Sequence, residues 1–203
     1  MDRRHFFGAL PALALLLAGC GDRPKLARLA SDAVLLAFGD SLTFGTGASE
    51  AASYPAQLAA LIGRTVVRAG VPGEISASGL ERLPATLEGH QPRLLLLCHG
   101  GNDFLQRRSK SAAASNVRAM IQLARDKGVG VVLIGTPEPS ITVTPPEFFR
   151  EIARSFAIPY EGDVLGKVLK DGSLKADQVH PNARGYRIIA EKVAALLKEA
   201  GAI

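Results

Sequence analysis

Cysteine and histidine are both scarce in this chain of 203 residues, at two and four. Cys98 follows the run Leu94-Leu95-Leu96-Leu97 and reads as a buried core thiol, since a nucleophilic role needs an exposed, electropositive setting. Cys20 stands at the end of an N-terminal leader, so a disulfide framework is excluded. The histidines show no ligand spacing, and neither a metal nor any other cofactor is expected. Basic residues exceed acidic ones, 24 to 19, yet the only adjacent basic pairs are Arg3-Arg4 and Arg107-Arg108. No Lys/Arg run is interleaved with aromatics, so nucleic acid is not an expected partner. Gly45-Thr46-Gly47 lacks the third glycine of a dinucleotide fingerprint, with Glu50 in its place. Internal repeats, low-complexity blocks and a long lid segment are also missing.

What is present is a chain with 47% apolar and 21% charged residues, a length and composition that fit one globular domain. Its first residues read as an address. Arg3 and Arg4 precede an apolar stretch over 6–18, too short to span a bilayer comfortably. Leu17-Ala18-Gly19-Cys20 resembles the bacterial lipobox, which implies a signal peptide over 1–19, a lipid on Cys20, a tether over 20–31 and a domain over 32–203. The expected location is that of an exported, membrane-anchored lipoprotein facing the periplasm or the cell exterior. Arg3-Arg4-His5-Phe6-Phe7 also resembles a twin-arginine signal, so both export routes stay open. A buried N-terminal helix with an incidental cysteine is the plainer alternative.

Along the rest of the chain, apolar runs of strand length recur at Ala33 to Phe38, Thr65 to Arg68, Arg93 to Cys98 and Val129 to Ile134. A short fifth run lies around Ile158 to Tyr160. Helical spacing appears at Tyr54, Leu58, Leu61 and Ile62, at Val117, Met120, Ile121 and Ala124, and along 182–200. The stretch around Gly162, Gly166 and Gly172 reads as loop. Runs that are apolar at every position suit parallel strands covered on both faces. The expected fold class is α/β, a three-layer α/β/α arrangement around an open parallel sheet of about five strands. Ligands of such sheets bind beyond the carboxyl ends of the strands.

Four post-strand loops carry chemistry. Ser41, in Gly39-Asp40-Ser41-Leu42, follows the first strand, where a hydroxyl is either a nucleophile at the sheet edge or a helix cap. Gly73, after the second strand, can offer a backbone N–H. Asn102, in Gly100-Gly101-Asn102-Asp103, carries an amide that can donate to a developing oxyanion. Near the C-terminus, Asp177 precedes His180 by three residues. A carboxylate so placed can accept from one ring nitrogen and leave the other free to take the Ser41 proton. A capped surface turn is the bland alternative.

Taken together and in order, Gly-Asp-Ser-Leu at Ser41, Gly73, Gly-Gly-Asn-Asp at Asn102 and Asp-x-x-His-Pro-Asn at His180 resemble the four blocks of the SGNH, or GDSL, hydrolases. Within that family the chain is most similar to the bacterial arylesterase and acyl-CoA thioesterase/lysophospholipase group, from about Val34 to the last helix. Tyr54-Pro55 and Leu80-Glu81-Arg82-Leu83-Pro84 also look like that group's intervening segments. The resemblance implies a flavodoxin-like sheet, a catalytic triad of Ser41, His180 and Asp177, and an oxyanion hole built from the Ser41 N–H, the Gly73 N–H and the Asn102 side chain. Arg68 and Phe104 depart from the pattern, and Phe104 could reshape the pocket. Leu42, Phe104, Ile141 and Val143 are the expected lining of an acyl groove. The expected activity is hydrolysis of short- to medium-chain acyl esters, from small molecules or lipids, by a monomer. A carbohydrate O-acetylesterase and a non-catalytic acyl-binding lipoprotein are the alternatives.

Overall fold

The computed structural model describes residues 24–203. Five strands run β1 Leu35–Gly39, β2 Val66–Gly70, β3 Leu94–Cys98, β4 Gly130–Ile134 and β5 Tyr160–Glu161. Eight helices lie among them: α1 Ser41–Phe44, α2 Tyr54–Ile62, α3 Ser76–His90, α4 Gly101–Leu105, α5 Lys110–Asp126, α6 Phe148–Phe156, α7 Val164–Lys170 and α8 Ala183–Glu199. All strand pairs are parallel, in the order β2-β1-β3-β4-β5. The three-layer α/β/α reading of the sequence is therefore what the chain forms.

The strand pattern explains the layers. Side chains alternate across a strand, so Leu35, Ala37, Leu94, Leu96, Val132 and Ile134 enter one core with α2, α7 and α8. Leu36, Phe38, Leu95, Leu97, Val131 and Leu133 enter the other with α3, α5 and α6. Every residue of β1 and β3 is buried, which is why these runs lack polar alternation. Burying each leucine contributes roughly 2 kcal/mol, so the two central strands anchor the domain. The chain leaves β1 toward β2 on one side and builds β3, β4 and β5 on the other. This reversal opens a crevice beyond the ends of β1 and β3.

Several boundaries differ from expectation. Both β1 and β2 run on into glycine, at Gly39 and Gly70. The fifth strand is shifted to Tyr160–Glu161, where it pairs with Leu133 and Ile134. The stretch read as loop around Gly166 contains α7, whose Val164, Leu165 and Val168 are buried. Helix α3 was hidden by Gly79, Pro84 and Gly89, residues that ordinarily weaken or break helices. The expected signal peptide and Cys20 lie outside the described residues. Within the part of the expected tether that is described, residues 24–31, Leu26 N–H donates to the Ala200 carbonyl at 2.9 Å and Leu29 N–H to the Ala202 carbonyl at 2.8 Å. Leu29 is buried in the α8 core, so apolar burial pins this segment to the domain. No helix among the described residues is long and apolar enough to cross a membrane.

Candidate active site

Ser41 opens α1 directly after β1. The buried Asp40 carboxylate caps the turn by accepting from Leu42 N–H at 3.0 Å, and Gly45, at φ 93°, ends the helix by donating its N–H to the Ser41 carbonyl. The turn is pressed onto its neighbours: a Cβ at Gly39 would collide with the Cys98 carbonyl, and one at Gly70 with the backbone of Phe44. Both positions therefore require glycine for close approach. Thr43 and Tyr54 share a buried hydroxyl bond of 3.2 Å. Burial pushes the Asp40 carboxyl above its ordinary range, although nearby His99 pulls the other way.

The Asp177 to His180 segment reaches Ser41 from the opposite end of the sequence. His180 Nε2 lies 2.9 Å from Ser41 Oγ, and His180 Nδ1 lies 2.8 Å from Asp177 Oδ2. A carboxylate can only accept, so Nδ1 carries the proton and Nε2 presents its lone pair to the Ser41 hydroxyl. The other carboxylate oxygen accepts from Val179 N–H at 2.8 Å and His180 N–H at 2.9 Å. Partial burial opposes the charge on Asp177, but the bonds from the His180 ring and these two N–H groups outweigh it and hold the carboxyl below its ordinary value. Asn182 fixes the far end by capping α8 through Arg184 N–H and Gly185 N–H. Its amide also donates to the Ser173 carbonyl at 2.9 Å.

Gly73 and Asn102 close the third side. Gly73 adopts φ 79°, a conformation that L side chains rarely take, so glycine is required there. Asn102, second residue of α4, donates one amide hydrogen to the Glu74 carbonyl at 2.9 Å. The amide has two hydrogens, which leaves one for a ligand. Its neighbour Asp103 accepts from Ser76 N–H at 2.8 Å and Ser76 Oγ at 2.7 Å, binding α4 to the start of α3.

Ser41, Gly73, Asn102 and His180 all line one cleft of about 600 Å³. Of the expected acyl-groove residues, Leu42 and Val143 line it. Phe104 does not: it is buried in the α5–α6 core, with its ring 6.2 Å from Phe148 and 6.4 Å from Phe149. One helical step turns the next side chain outward, and Leu105, 48% exposed, takes the place at the cleft. Ile141 does not line it either, being fully exposed at the tip of a turn closed by Val143 N–H to the Ser140 carbonyl. Leu169 and Val179 complete the apolar wall. The first was missed because α7 was read as loop, whereas the second lies within the Asp-x-x-His turn and was within reach. Burial pushes the Cys98 thiol well above its ordinary range, in keeping with a core thiol rather than a nucleophile.

Residues 37–188 match the model of the GDSL-like Lipase/Acylhydrolase family. The chain is 30% identical over 200 residues to Esterase TesA of Pseudomonas aeruginosa, covering 91% of this chain and 98% of that protein. It is 30% identical over 179 residues to Thioesterase 1/protease 1/lysophospholipase L1 of Escherichia coli strain K12, covering 84% and 86%. Among solved structures, that of TesA superimposes with a TM-score of 0.73 at 27% identity, covering 82% of this chain and 99% of that one.

Proposed function

Because the chain belongs to the GDSL-like Lipase/Acylhydrolase family and is a serine ester hydrolase, we propose that Ser41 is its nucleophile, His180 its general base and Asp177 the residue that orients His180. The observation that carries these roles is the continuous relay from Asp177 Oδ2 to His180 Nδ1, at 2.8 Å, and from His180 Nε2 to Ser41 Oγ, at 2.9 Å. His180 takes the Ser41 proton as the oxygen attacks the ester carbonyl. The Ser41 N–H, the Gly73 N–H and the free hydrogen of Asn102 face the negative charge that develops on the carbonyl oxygen. His180 then returns its proton to the departing alkoxide. In the second half a water, deprotonated by His180, attacks the acyl carbon; the bond to Ser41 Oγ then breaks as His180 returns the proton to that oxygen, releasing the acid and restoring the hydroxyl.

The substrate is a short- to medium-chain acyl ester. Leu42, Leu105, Val143 and Leu169 offer an apolar wall beside Ser41, more than an acetyl group needs. Hydrolysis of nitrophenyl esters from acetyl to palmitoyl tests this, with Ser41→Ala as control. The expected result is a kcat/KM optimum between butyrate and decanoate. Cleavage of the acetyl ester alone would reject the acyl reading and favour an O-acetylesterase.

Lipidation at Cys20 and export are part of the same proposal, supported by the leader of residues 1–20. The described chain joins the domain beside Ala200, at the C-terminal end of α8, whereas Asn182 at the opposite end adjoins the site. Those 17 residues of helix span about 25 Å. The described chain thus enters the domain on the side away from the cleft. Mass spectrometry of the protein purified from membranes, with Cys20→Ala as control, tests the lipid directly.

A further inference from the structure

Beneath the Gly73 loop lies a charged cluster that takes no part in the relay. The Glu74 side chain is 7% exposed and His99 is fully buried. Arg82, from α3, grips Glu74 with two bonds, Nε to Oε1 at 2.8 Å and a terminal nitrogen to Oε2 at 2.7 Å. The same guanidinium lies 4.0 Å above the Phe38 ring and donates to the Ala69 carbonyl at 3.2 Å, at the end of β2. Gly100 N–H donates to His99 Nδ1 at 3.0 Å, so the ring proton is on Nε2, which donates to Glu74 Oε2 at 3.1 Å. The ring fits only because α3 has glycine at position 79, where a Cβ would collide with it.

We propose that Glu74 is a positioning residue for ester hydrolysis, its carboxylate clamped by Arg82 and His99 so that the Gly73 N–H and the Asn102 amide are held toward the same oxyanion. The link is covalent on one side and a hydrogen bond on the other. Gly73 immediately precedes Glu74 in sequence, and Asn102 donates to the Glu74 backbone carbonyl at 2.9 Å. One residue thereby sets two of the three donors, from two different loops. Ser41, His180 and Asp177 are not among its hydrogen-bond partners. Preorganised donors act on the transition state rather than on the bound substrate, and displacement by about 1 Å can cost a hundredfold. This inference rests on the assignment of Gly73 and Asn102 as oxyanion donors.

The test compares Glu74→Gln, Asn102→Ala and the double variant on one nitrophenyl ester, with melting temperature recorded for each and phenylboronic acid as a probe of tetrahedral binding. Glu74→Gln is expected to lower kcat about ten- to hundredfold with KM within about threefold, and to weaken the boronate in parallel. Because part of the Glu74 effect runs through Asn102 and part through Gly73, the double variant is expected to lose clearly less than the product of the two single losses. A folded Glu74→Gln with kcat within twofold of the parent, or losses that multiply fully in the double variant, would overturn the proposal. If Asn102→Ala itself keeps the parental kcat, the donor assignment falls and takes the proposal with it. Should Glu74→Gln fail to fold, Arg82→Lys keeps the charge but loses the two-pronged grip, and the same criteria apply to it.

Discussion

The two halves of the site are built differently. On the base half, Asp177 has a side chain 52% exposed and meets His180 three residues away, steered by bonds to N–H groups of the same turn. On the oxyanion half, Glu74 is 7% exposed and draws its partners from α3, eight residues on, and from the end of β3, 25 residues on. The contrast follows from the work each does. A base must take and return a proton and admit water for the second step, so a locally braced, partly solvated imidazole suits it. An oxyanion hole gains by being immobile before charge arrives, which favours donors braced from buried, long-range contacts.

The largest effect that bears on this contrast comes from the shared centre. Ser41→Ala and His180→Ala are each expected to lower kcat by on the order of 10⁵ to 10⁶, as expected when either member of a nucleophile–base pair is lost. Labelling by a fluorophosphonate should vanish in Ser41→Ala. Retained labelling there would remove Ser41 from the mechanism and leave nothing for the two halves to serve. Next in size is Asp177→Asn, which keeps the turn but offers His180 Nδ1 a donor and so favours the wrong tautomer. In an enclosed triad such a change costs about 10⁴ in kcat. Here, with Asp177 half exposed, water can serve the ring and the expected loss is nearer 10³. Steady-state kinetics with a saturating ester measures it. A loss equal to that of Ser41→Ala would mean that the base half is as rigidly determined as its partner, and the comparison would break.

The same contrast decides what the sequence disclosed. Asp177 and His180 are three residues apart, and the strands announce themselves as unbroken apolar runs, so the relay, the layers and the glycine of the second loop were legible. Glu74, Arg82 and His99 were not, because nothing within a few residues of any of them marks a mutual contact. Arg82 sits in a helix obscured by Gly79 and Pro84, and Gly79 is there to admit the His99 ring, a reason visible only in three dimensions. The exchange of Phe104 for Leu105 at the cleft has a related origin: adjacent residues in a helix point about 100° apart, so an error of one position moves a side chain from wall to core. Ile141 and Val143 share a loop without regular periodicity, where spacing carries no directional information.

Acid stability probes the contrast with the smallest effect. Arg82 and His99 more than offset the burial of Glu74 and hold its carboxyl at about 2, against an ordinary 4.5. A carboxyl depressed in the folded state stabilises fully above its unfolded value, and that contribution fades as the pH falls from about 4.5 toward 2. Glu74→Gln lacks the titrating group, so its melting temperature should lie several degrees below the parent at pH 6, and the gap should narrow as the pH falls through that window. Asp177 is also held low, yet its exposure to solvent screens the interaction. Asp177→Asn should therefore track the parent's melting curve from pH 6 to 3 within about a degree. Calorimetry on the three proteins separates the halves without any substrate. Equal gaps for the two variants at pH 6, closing together on acidification, would show that the Asp177 turn and the Glu74 clamp contribute alike to the fold, and that solvent exposure does not distinguish them.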